Sequence, residues 1–491
     1  MTPEKGRNEN MGSKEALTVL HAVSEAVPFL STGGMGQVAG ALAGALADSG
    51  RGLDVRIVTP LYAQFRDRYE PQMKFLGETT ITLAWRNEYC GVFELDEGGV
   101  KYYLVDNRRY FDREGIYGYL DDGERYAFFS MAVFAVMDMA GFIPDVIHAH
   151  DWQTALVPVY VKTWNSEKYA GIKTVFTIHN MEYQGKYPLD ILSDVLGLRG
   201  EDAGLVEYDW CINLMKGAIV CADMLTTVSP SYAEEIQNGG GYGLDGIIKE
   251  YSYKLKGIIN GIDTKTYDPQ TDPLLSRNYS AETLEYKAPN KRKLQELFEL
   301  PKSPRKMLIC VVSRLVSHKG IDLITYMMED LLKMDVQFLL LGTGDHDYEL
   351  FFSEYAVRHP DKVGVNISFN PEIAGKIYAG ADVILVPSRS EPCGLTQMIC
   401  CRYGTIPIVR KTGGLGDTIR DCRAGEGNGF LFSEYDAGAL LDTISQALSL
   451  YKYHEQDWKN LMREAMKYDF SWDISAQAYA DIYYGLKRGD A

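Results

Sequence analysis

The second half of the chain repeats one unit: a short apolar-rich run, then a stretch of helical periodicity. The runs are Met307–Val312, Val336–Leu341, 363–368, Val383–Val386 and 405–409. Runs this short read as strands, and strands that alternate with helices predict a parallel, doubly wound sheet with right-handed crossovers. In such a sheet the ligand crevice lies at the C-terminal mouths of the strands. The loops after these runs are therefore where chemistry is expected.

The most informative mouth follows Val383–Val386, in Leu385-Val-Pro-Ser-Arg-Ser-Glu-Pro-Cys-Gly-Leu-Thr-Gln397. Pro387 ends the strand, Glu391 places a carboxylate in the mouth, and Gly394 opens a helical pattern over 394–402. One fixed carboxylate beside a glycine-led helix start suits a ligand that carries hydroxyls and an anionic group, such as a nucleotide sugar. Arg314, His318, Lys319 and Gly320 cluster after the first run, and Lys411-Thr-Gly-Gly-Leu-Gly-Asp-Thr418 follows the fifth.

The first half shows the same grammar less cleanly. A strand over 17–23 leads into Ser31-Thr-Gly-Gly-Met-Gly36 and a helix expected over 37–48. Thr32-Gly-Gly-Met-Gly36 nearly repeats Thr412-Gly-Gly-Leu-Gly416, and both follow a strand and precede a helix. Two such helix starts facing one cleft would hold an anionic ligand between two domains. Residues 62–125 read as an elaborated insertion. Asp145-Val-Ile-His-Ala-His-Asp-Trp152 is a strand with His148 and His150 on one face and Asp151 and Trp152 at its mouth. No further metal ligands stand out beside the two histidines, so hydrogen-bonding or core roles are expected and no metal site. A second strand of this kind ends in His179 and Asn180, and the Asn260-Gly261 turn marks the crossover between domains. Phe470-Ser-Trp472 begins a last amphipathic helix that runs to about Lys487.

Acidic side chains number 67 against 50 basic ones, a net charge of -17. That disfavours nucleic acid and anionic membranes as partners. The eight cysteines, among them Cys393 in the mouth described above, form no CxxC pair and are expected to be reduced, as in a cytoplasmic protein. Residues 1–14 lack the apolar segment of a signal peptide and read as a flexible tail. No run is long and apolar enough to cross a membrane.

Six motifs together carry a family resemblance. They are His148-Ala-His-Asp-Trp152, Thr177-Ile-His-Asn180 with Tyr183-Gln-Gly185, Asn260-Gly-Ile-Asp263, Ser313-Arg-Leu-Val-Ser-His-Lys-Gly320, Glu391-Pro-Cys-Gly-Leu-Thr-Gln397 and Lys411-Thr-Gly-Gly-Leu-Gly-Asp-Thr418. From about residue 17 to 488, in this order, the chain resembles bacterial glycogen synthases and plant starch synthases. The resemblance implies an α/β GT-B fold: a Rossmann-like acceptor-side domain over 15–262, a Rossmann-like nucleotide-sugar domain over 263–469, and a helix over 470–491 that crosses back. It implies retaining transfer of glucose from ADP-glucose to the non-reducing end of an α-1,4-glucan, with no cofactor and no obligatory metal. Arg314 and Lys319 match the family's phosphate-binding pair. Glu391 matches the acid beside the donor glucose, and His179 the residue that touches the transferred sugar. Asn260 is expected on that sugar, Phe369 on the adenine, and Gly33, Gly34, Cys393, Gly394, Leu395, Thr396, Gly413 and Gly414 around the donor. Asp151 is expected at the acceptor, with Trp152 as a stacking neighbour.

The chain departs from the family's pattern in its first glycine-rich loop. Ser31 stands where the family carries a lysine near the donor phosphates, Gln37 where it carries an aspartate, and Ser390 where an aromatic precedes the glutamate. A charge-assisted contact contributes about 1.5–3 kcal/mol, so the lost lysine predicts donor binding or turnover weakened about 10- to 100-fold. Two other readings stay open: a changed donor such as UDP-glucose, and a non-catalytic glucan-binding or priming relative. The retained Arg314, Lys319, His179 and Glu391 argue against the latter. A Rossmann oxidoreductase would need GxGxxG after the first strand, where this chain has Thr32-Gly-Gly-Met-Gly-Gln37. A phosphorylase is disfavoured by length and by the want of a cofactor-lysine motif.

Overall fold

The computed structural model describes residues 16–164 and 166–490, so the tail expected at 1–14 lies outside the described residues. The first half contributes β1 (Leu17–Ala22), β2 (Leu53–Pro60), β3 (Lys74–Leu83), β4 (Arg86–Glu97), β5 (Val100–Asp106), β6 (Val146–His150) and β7 (Lys173–Ile178). Three short strands follow, β8 (Lys186–Tyr187), β9 (Glu207–Tyr208) and β10 (Cys211–Asn213), which form a small antiparallel sheet. Strands β11 (Met224–Thr227) and β12 (Leu255–Gly257) complete the half.

The main sheet of this half runs β12-β11-β7-β6-β1-β2-β5-β4-β3. It is parallel from β12 to β5, and β4 and β3 add antiparallel at one edge. The stretch over 62–125, expected as an insertion, thus extends the sheet itself. Its alternating pattern belongs to an edge: most of β3 is exposed or half-buried, whereas β1 and β6 are almost wholly buried. The strand order reverses direction between β1 and β6, so the loops after these two strands, 23–33 and the turn at Asp151, flank one crevice.

The second sheet is built from β13 (Met307–Val312), β14 (Val336–Leu341), β15 (Val363–Asn366), β16 (Val383–Val386), β17 (Ile406–Arg410) and β18 (Phe430–Phe432). All its pairings are parallel, in the order β15-β14-β13-β16-β17-β18. This is the two-halves order of a dinucleotide-binding sheet, and its switch point lies between β13 and β16. The expected runs 363–368 and 405–409 shift by only one or two residues at their ends.

The two halves meet at two strands of chain that run side by side. Ile262 bridges Ser471, and its N–H donates to the Phe470 carbonyl at 2.7 Å. The last helix, Trp472–Arg488, then packs on the helix Gly34–Asp48 of the first half. Arg51 pairs with Asp481 at 2.7 Å, Lys487 with Asp145, and the fully buried Tyr483 reaches under β1 and β6. Among the described residues, no helix is long and apolar enough to cross a membrane.

Candidate active site

The switch point of the second sheet brings the two loops predicted to carry chemistry into contact. After β13 the chain makes a short 3₁₀ turn, Ser317–Lys319, and enters the helix Ile321–Lys333 through Gly320 at φ +75°. A Cβ on Gly320 would lie 2.2 Å from the Pro387 carbonyl oxygen, so only glycine lets the two loops approach this closely. The Arg389 N–H donates to the His318 carbonyl at 2.8 Å and ties the loops again.

At this junction the Lys319 ammonium donates to both oxygens of Glu391, each at 2.8 Å, and the Ser388 hydroxyl donates to Oε2 at 2.9 Å. The side chains are 19% and 11% exposed, a pair at the floor of a crevice rather than on the surface. Arg314 is exposed and lines the same cavity of about 190 Å³, together with Gly394, Leu395 and Thr396. The helix after Glu391 begins at Thr396, two residues later than the pattern suggests, because Gly394 sits at φ +74° as a turn. Gln397 holds that turn: its Nε2 donates to the carbonyls of Cys393 and Gly394 and to Thr418 Oγ1. Cys393 is buried, and Asn260, from the crossover, lies against its thiol with a side-chain oxygen that finds no partner among the described residues.

The second glycine-rich loop is packed beneath the same mouth. A Cβ on Gly413, at φ +41°, would meet the Glu391 carbonyl oxygen at 2.2 Å, and one on Gly414 would meet Cys393 Cα at 2.4 Å. The helix Gly413–Thr418 starts here. Across the cleft, Glu235 of the first half accepts the Gly413 N–H at 2.7 Å and the Thr412 hydroxyl at 3.0 Å. Asp417 accepts the N–H and hydroxyl of Ser231 at 2.8 and 2.6 Å, and the Ser229 hydroxyl donates to the Pro392 carbonyl at 2.6 Å. The two halves are therefore in direct contact beside the site.

On the first-half wall, Asp151 stands at φ +54° and ψ -179°, a conformation that costs a non-glycine residue about 1–3 kcal/mol and that clusters at functional sites. Its carboxylate accepts the His179 N–H at 2.7 Å. Burial pushes the Asp151 carboxyl up to about 7, opposed by the N–H groups of His179 and Asn180 and reinforced by the nearby charge of Glu25. Glu25 is buried under the first glycine-rich loop and accepts the N–H and hydroxyl of Thr32 at 2.6 and 2.9 Å. Burial raises its carboxyl, against the hydrogen bonds from Thr32 and Gly36. The helix after this loop opens at Gly34, not at Gln37, and space around Gly33 and Gly34 is open. Ser31 turns its hydroxyl onto its own loop, donating to the Gly33 carbonyl at 2.7 Å.

His179 is nearly buried and burial lowers its imidazole to about 3, so the ring is neutral near pH 7. His148 and His150 are fully buried and hydrogen-bonded, with burial lowering both. Phe369 stands 79% exposed, free to stack. Trp152 differs from expectation. It is 9% exposed, its ring lies edge-to-face against Tyr126 at 5.3 Å, and Gly185 packs so tightly on it that a Cβ there would lie 2.7 Å from Cε3. An indole covered this way supports the wall but offers no free face to a sugar.

Sequence reading missed Glu25 and Glu235, and gave no role of its own to Asp417 inside the Lys411–Thr418 motif. Glu25 had a usable signal, an acid just past a buried strand and before a glycine-rich loop. The other two sit in ordinary polar helix positions and acquire meaning only from the contact across the cleft.

Comparison with known proteins agrees with this architecture. Residues 18–250 match the family described as starch synthase catalytic domain, and residues 293–464 match glycosyl transferases group 1. The chain is 45% identical over 477 residues to a glycogen synthase of Geobacillus stearothermophilus, covering 96% of this chain and 98% of that one. It is 45% identical over 474 residues to a glycogen synthase of Lactobacillus acidophilus, covering 95% and 99%. Among solved structures, the catalytic domain of starch synthase IV from Arabidopsis thaliana, bound to ADP and acarbose, superposes with a TM-score of 0.89 at 32% identity, over 96% of this chain and all of that one. A sucrose-phosphate synthase from Thermosynechococcus elongatus shares the fold, with a TM-score of 0.62 at 18% identity.

Proposed function

The chain belongs to the glycogen synthase and starch synthase family of glycosyltransferases, and on that premise we propose that it moves glucose from ADP-glucose to the non-reducing end of an α-1,4-glucan with retention of configuration. The observation that carries this reading is the Lys319–Glu391 pair, set beside the exposed Arg314 at the switch point of the second sheet. An ammonium has three N–H donors. Two are on Glu391, which leaves one for an oxygen of the donor diphosphate. Arg314 supplies a second cation to the same group. As the glycosidic carbon–oxygen bond breaks, negative charge grows on the departing diphosphate, and fixed cations in a sheltered crevice stabilise that charge strongly.

Glu391 faces the opposite demand. Positive charge develops at the anomeric carbon as the bond breaks, and a carboxylate anchored by Lys319 and Ser388 is placed to stabilise it or to hold sugar hydroxyls. His179 fits the same task because it is neutral. An imidazolium beside an oxocarbenium-like centre would repel it, whereas a neutral ring contributes a hydrogen bond without that cost. Phe369 offers a face to the adenine, the loops at Gly33-Gly34 and Gly413-Gly414 let backbone approach the donor, and Asn260 and the segment from Cys393 to Thr396 close around the sugar. Asp151 takes the acceptor side, where its proximity to the His179 backbone couples the two sugar sites. A cytoplasmic location accords with this reading.

The test is glucose incorporation into glycogen, with ADP-glucose and UDP-glucose as parallel donors and Glu391→Ala as control. Transfer from ADP-glucose that Glu391→Ala abolishes is the expected result. A preference for UDP-glucose would reassign the donor. No transfer from either donor would refute the synthase reading in favour of a glucan-binding relative.

A further inference from the structure

Two of the six tryptophans, Trp85 and Trp210, stand 72% and 89% exposed, and each occupies a two-residue hairpin turn. Trp210 has no ring partner among the described residues. Trp85 is held on two sides. Its Nε1–H donates to Asp194 Oδ1 at 2.9 Å, and the Arg86 guanidinium lies over the ring, 4.4 Å from its centroid. Arg86 is fixed in turn. It donates to Asp194 Oδ2 at 2.9 Å and to the Asp194 carbonyl at 2.6 Å, and it pairs with Glu124 at 3.1 Å. The indole is therefore locked in its plane with one face on the guanidinium, and its exposure lies on the other. A large apolar ring on a surface is ordinary by itself. Fixing one costs side-chain entropy, and here polar partners fix it facing water. The residue before it, Ala84, takes φ +52°, a conformation that favours glycine and that clusters at functional sites.

The hairpin that carries Trp85 points toward the cleft side of the first sheet. Strand β4 pairs with β5 only from Gly91, which lies opposite Asp106 at the C-terminal end of β5. Residues 86–90 carry the hairpin past that end, about 17 Å at about 3.3 Å per residue. Because β5, β2, β1 and β6 are parallel, the tip rises on the side of their C-terminal mouths, where Asp151 lies. Trp85 is not among the residues that line the cavity around Lys319 and Glu391.

The chemistry left open defines the ligand. The indole N–H is occupied, so the ring offers only its face, which suits a surface rich in C–H groups. The Asp194 carboxylate is half-exposed at the ring edge, and each oxygen keeps a lone pair for a hydroxyl. A pyranose presents both, C–H groups on its face and hydroxyls at its rim. The acid at the edge and the net charge of -17 disfavour an anionic lipid surface or a nucleic acid.

We propose that Trp85, with Arg86 and Asp194, is a binding site for an α-glucan chain outside the reaction crevice, where a pyranose ring stacks on the open indole face and donates a hydroxyl to Asp194. The choice of a glucan rests on the proposed acceptor; the fixed platform does not. A polymer held both here and in the cleft is bound at two points, which keeps its chain ends at high effective concentration, whereas an acceptor too short to span both gains nothing.

The probe is β-cyclodextrin, a ring of α-1,4-linked glucose with no non-reducing end to extend. In ¹⁵N–¹H spectra of the full chain, the indole signal lost in Trp85→Ala identifies Trp85. That signal is expected to shift when wild type is titrated with β-cyclodextrin at millimolar concentration. Trp85→Ala, at an exposed position, should fold as wild type does and raise KM for glycogen about fivefold, the worth of one aromatic contact. Its kcat and its KM for maltotriose and for ADP-glucose should stay within about twofold of wild type. Trp85→Tyr keeps a ring and should recover part of the loss. An unmoved Trp85 signal, or an unchanged KM for glycogen in Trp85→Ala, would overturn the proposal. So would a KM for maltotriose raised as much as that for glycogen, which would place the indole at the reacting sugars. Dissociation of a wild-type dimer by Trp85→Ala, read by sedimentation, would overturn it too, because the indole would then cover a second copy of the chain. If wild type transfers no glucose while β-cyclodextrin still moves the Trp85 signal, the proposed function fails and the glucan site stands.

Discussion

Replacing Lys319 by Met removes the ammonium from between the two Glu391 oxygens while keeping a side chain of similar length. The structure predicts two separable losses. The first is stability. Exposed ion pairs contribute at most about 1 kcal/mol, and breaking a fully buried one costs about 3–5 kcal/mol. With side chains 19% and 11% exposed, this pair falls between those limits, so the loss should be about 2 kcal/mol. In a domain of this size that lowers the melting midpoint by about 4–8 °C. Glu391→Gln in the same chain removes the unpaired charge, so the double variant should regain most of the midpoint. The second loss is rate. If Lys319 stabilises charge on the departing diphosphate, its removal lowers kcat by about 10²–10³. That loss persists in the Glu391→Gln background, because the two groups act on opposite ends of the breaking bond. Calorimetry on the four proteins, with kcat for glucosyl transfer to glycogen, completes the cycle. The reasoning is refuted if Lys319→Met, made in the Glu391→Gln background, leaves kcat within about twofold. Lys319 would then serve only to hold the carboxylate.

Three further outcomes follow from the same geometry. Ser31→Lys restores a cation at a half-buried loop position and should lower the ADP-glucose concentration for half-saturation about tenfold; unchanged donor kinetics would place the diphosphate elsewhere. The folded state holds a proton on Asp151 more tightly than the unfolded chain does, so the stability it contributes is complete below the ordinary carboxylate range and is lost as pH rises to about 7. Asp151→Asn should therefore gain stability relative to wild type between about pH 4 and 7. It should also abolish an acid limb near pH 7 in the activity profile, and equal pH dependence in the two proteins would count against the assignment. Gly414→Ala forces a Cβ to within 2.4 Å of the Cys393 backbone, and overpacking of this kind costs about 1–3 kcal/mol, so both melting midpoint and activity should fall.

What could be read from the sequence, and what could not, divides along a physical line. The second sheet was legible because a buried parallel strand is a continuous apolar run, and β13, β14 and β16 have the limits expected of them. Arg314, Lys319 and Glu391 were legible because a mouth at a switch point converges loops whose residues are near their strands in sequence. Trp152 was misread because a residue at a strand mouth can point either into the cleft or beneath it, and the choice was made by Gly185, some thirty residues away, closing over the ring. The edge strands β3 and β4 looked like an insertion because one-sided burial weakens the pattern that marks them.

The residues to which sequence assigned no role are those whose meaning is a long-range pairing. Glu235 reads as a solvated helix acid until its carboxylate is found on the Gly413 N–H, 178 residues on, where it occupies the start of the helix next to Glu391. Ser231 and Asp417 repeat the case at a separation of 186. These bonds join the two halves through the backbone of the second glycine-rich loop, and that loop packs directly under the carboxylate loop, with room for no Cβ at Gly413 or Gly414. Any rotation that opened the cleft would have to break the Glu235 and Asp417 bonds and would pull on the segment that carries Glu391. Tyr483 extends the same logic to the other wall: the last helix of the chain reaches His179 through rings contributed by β1 and β6, so neither wall of the site is complete until the C-terminus has folded back onto the first half.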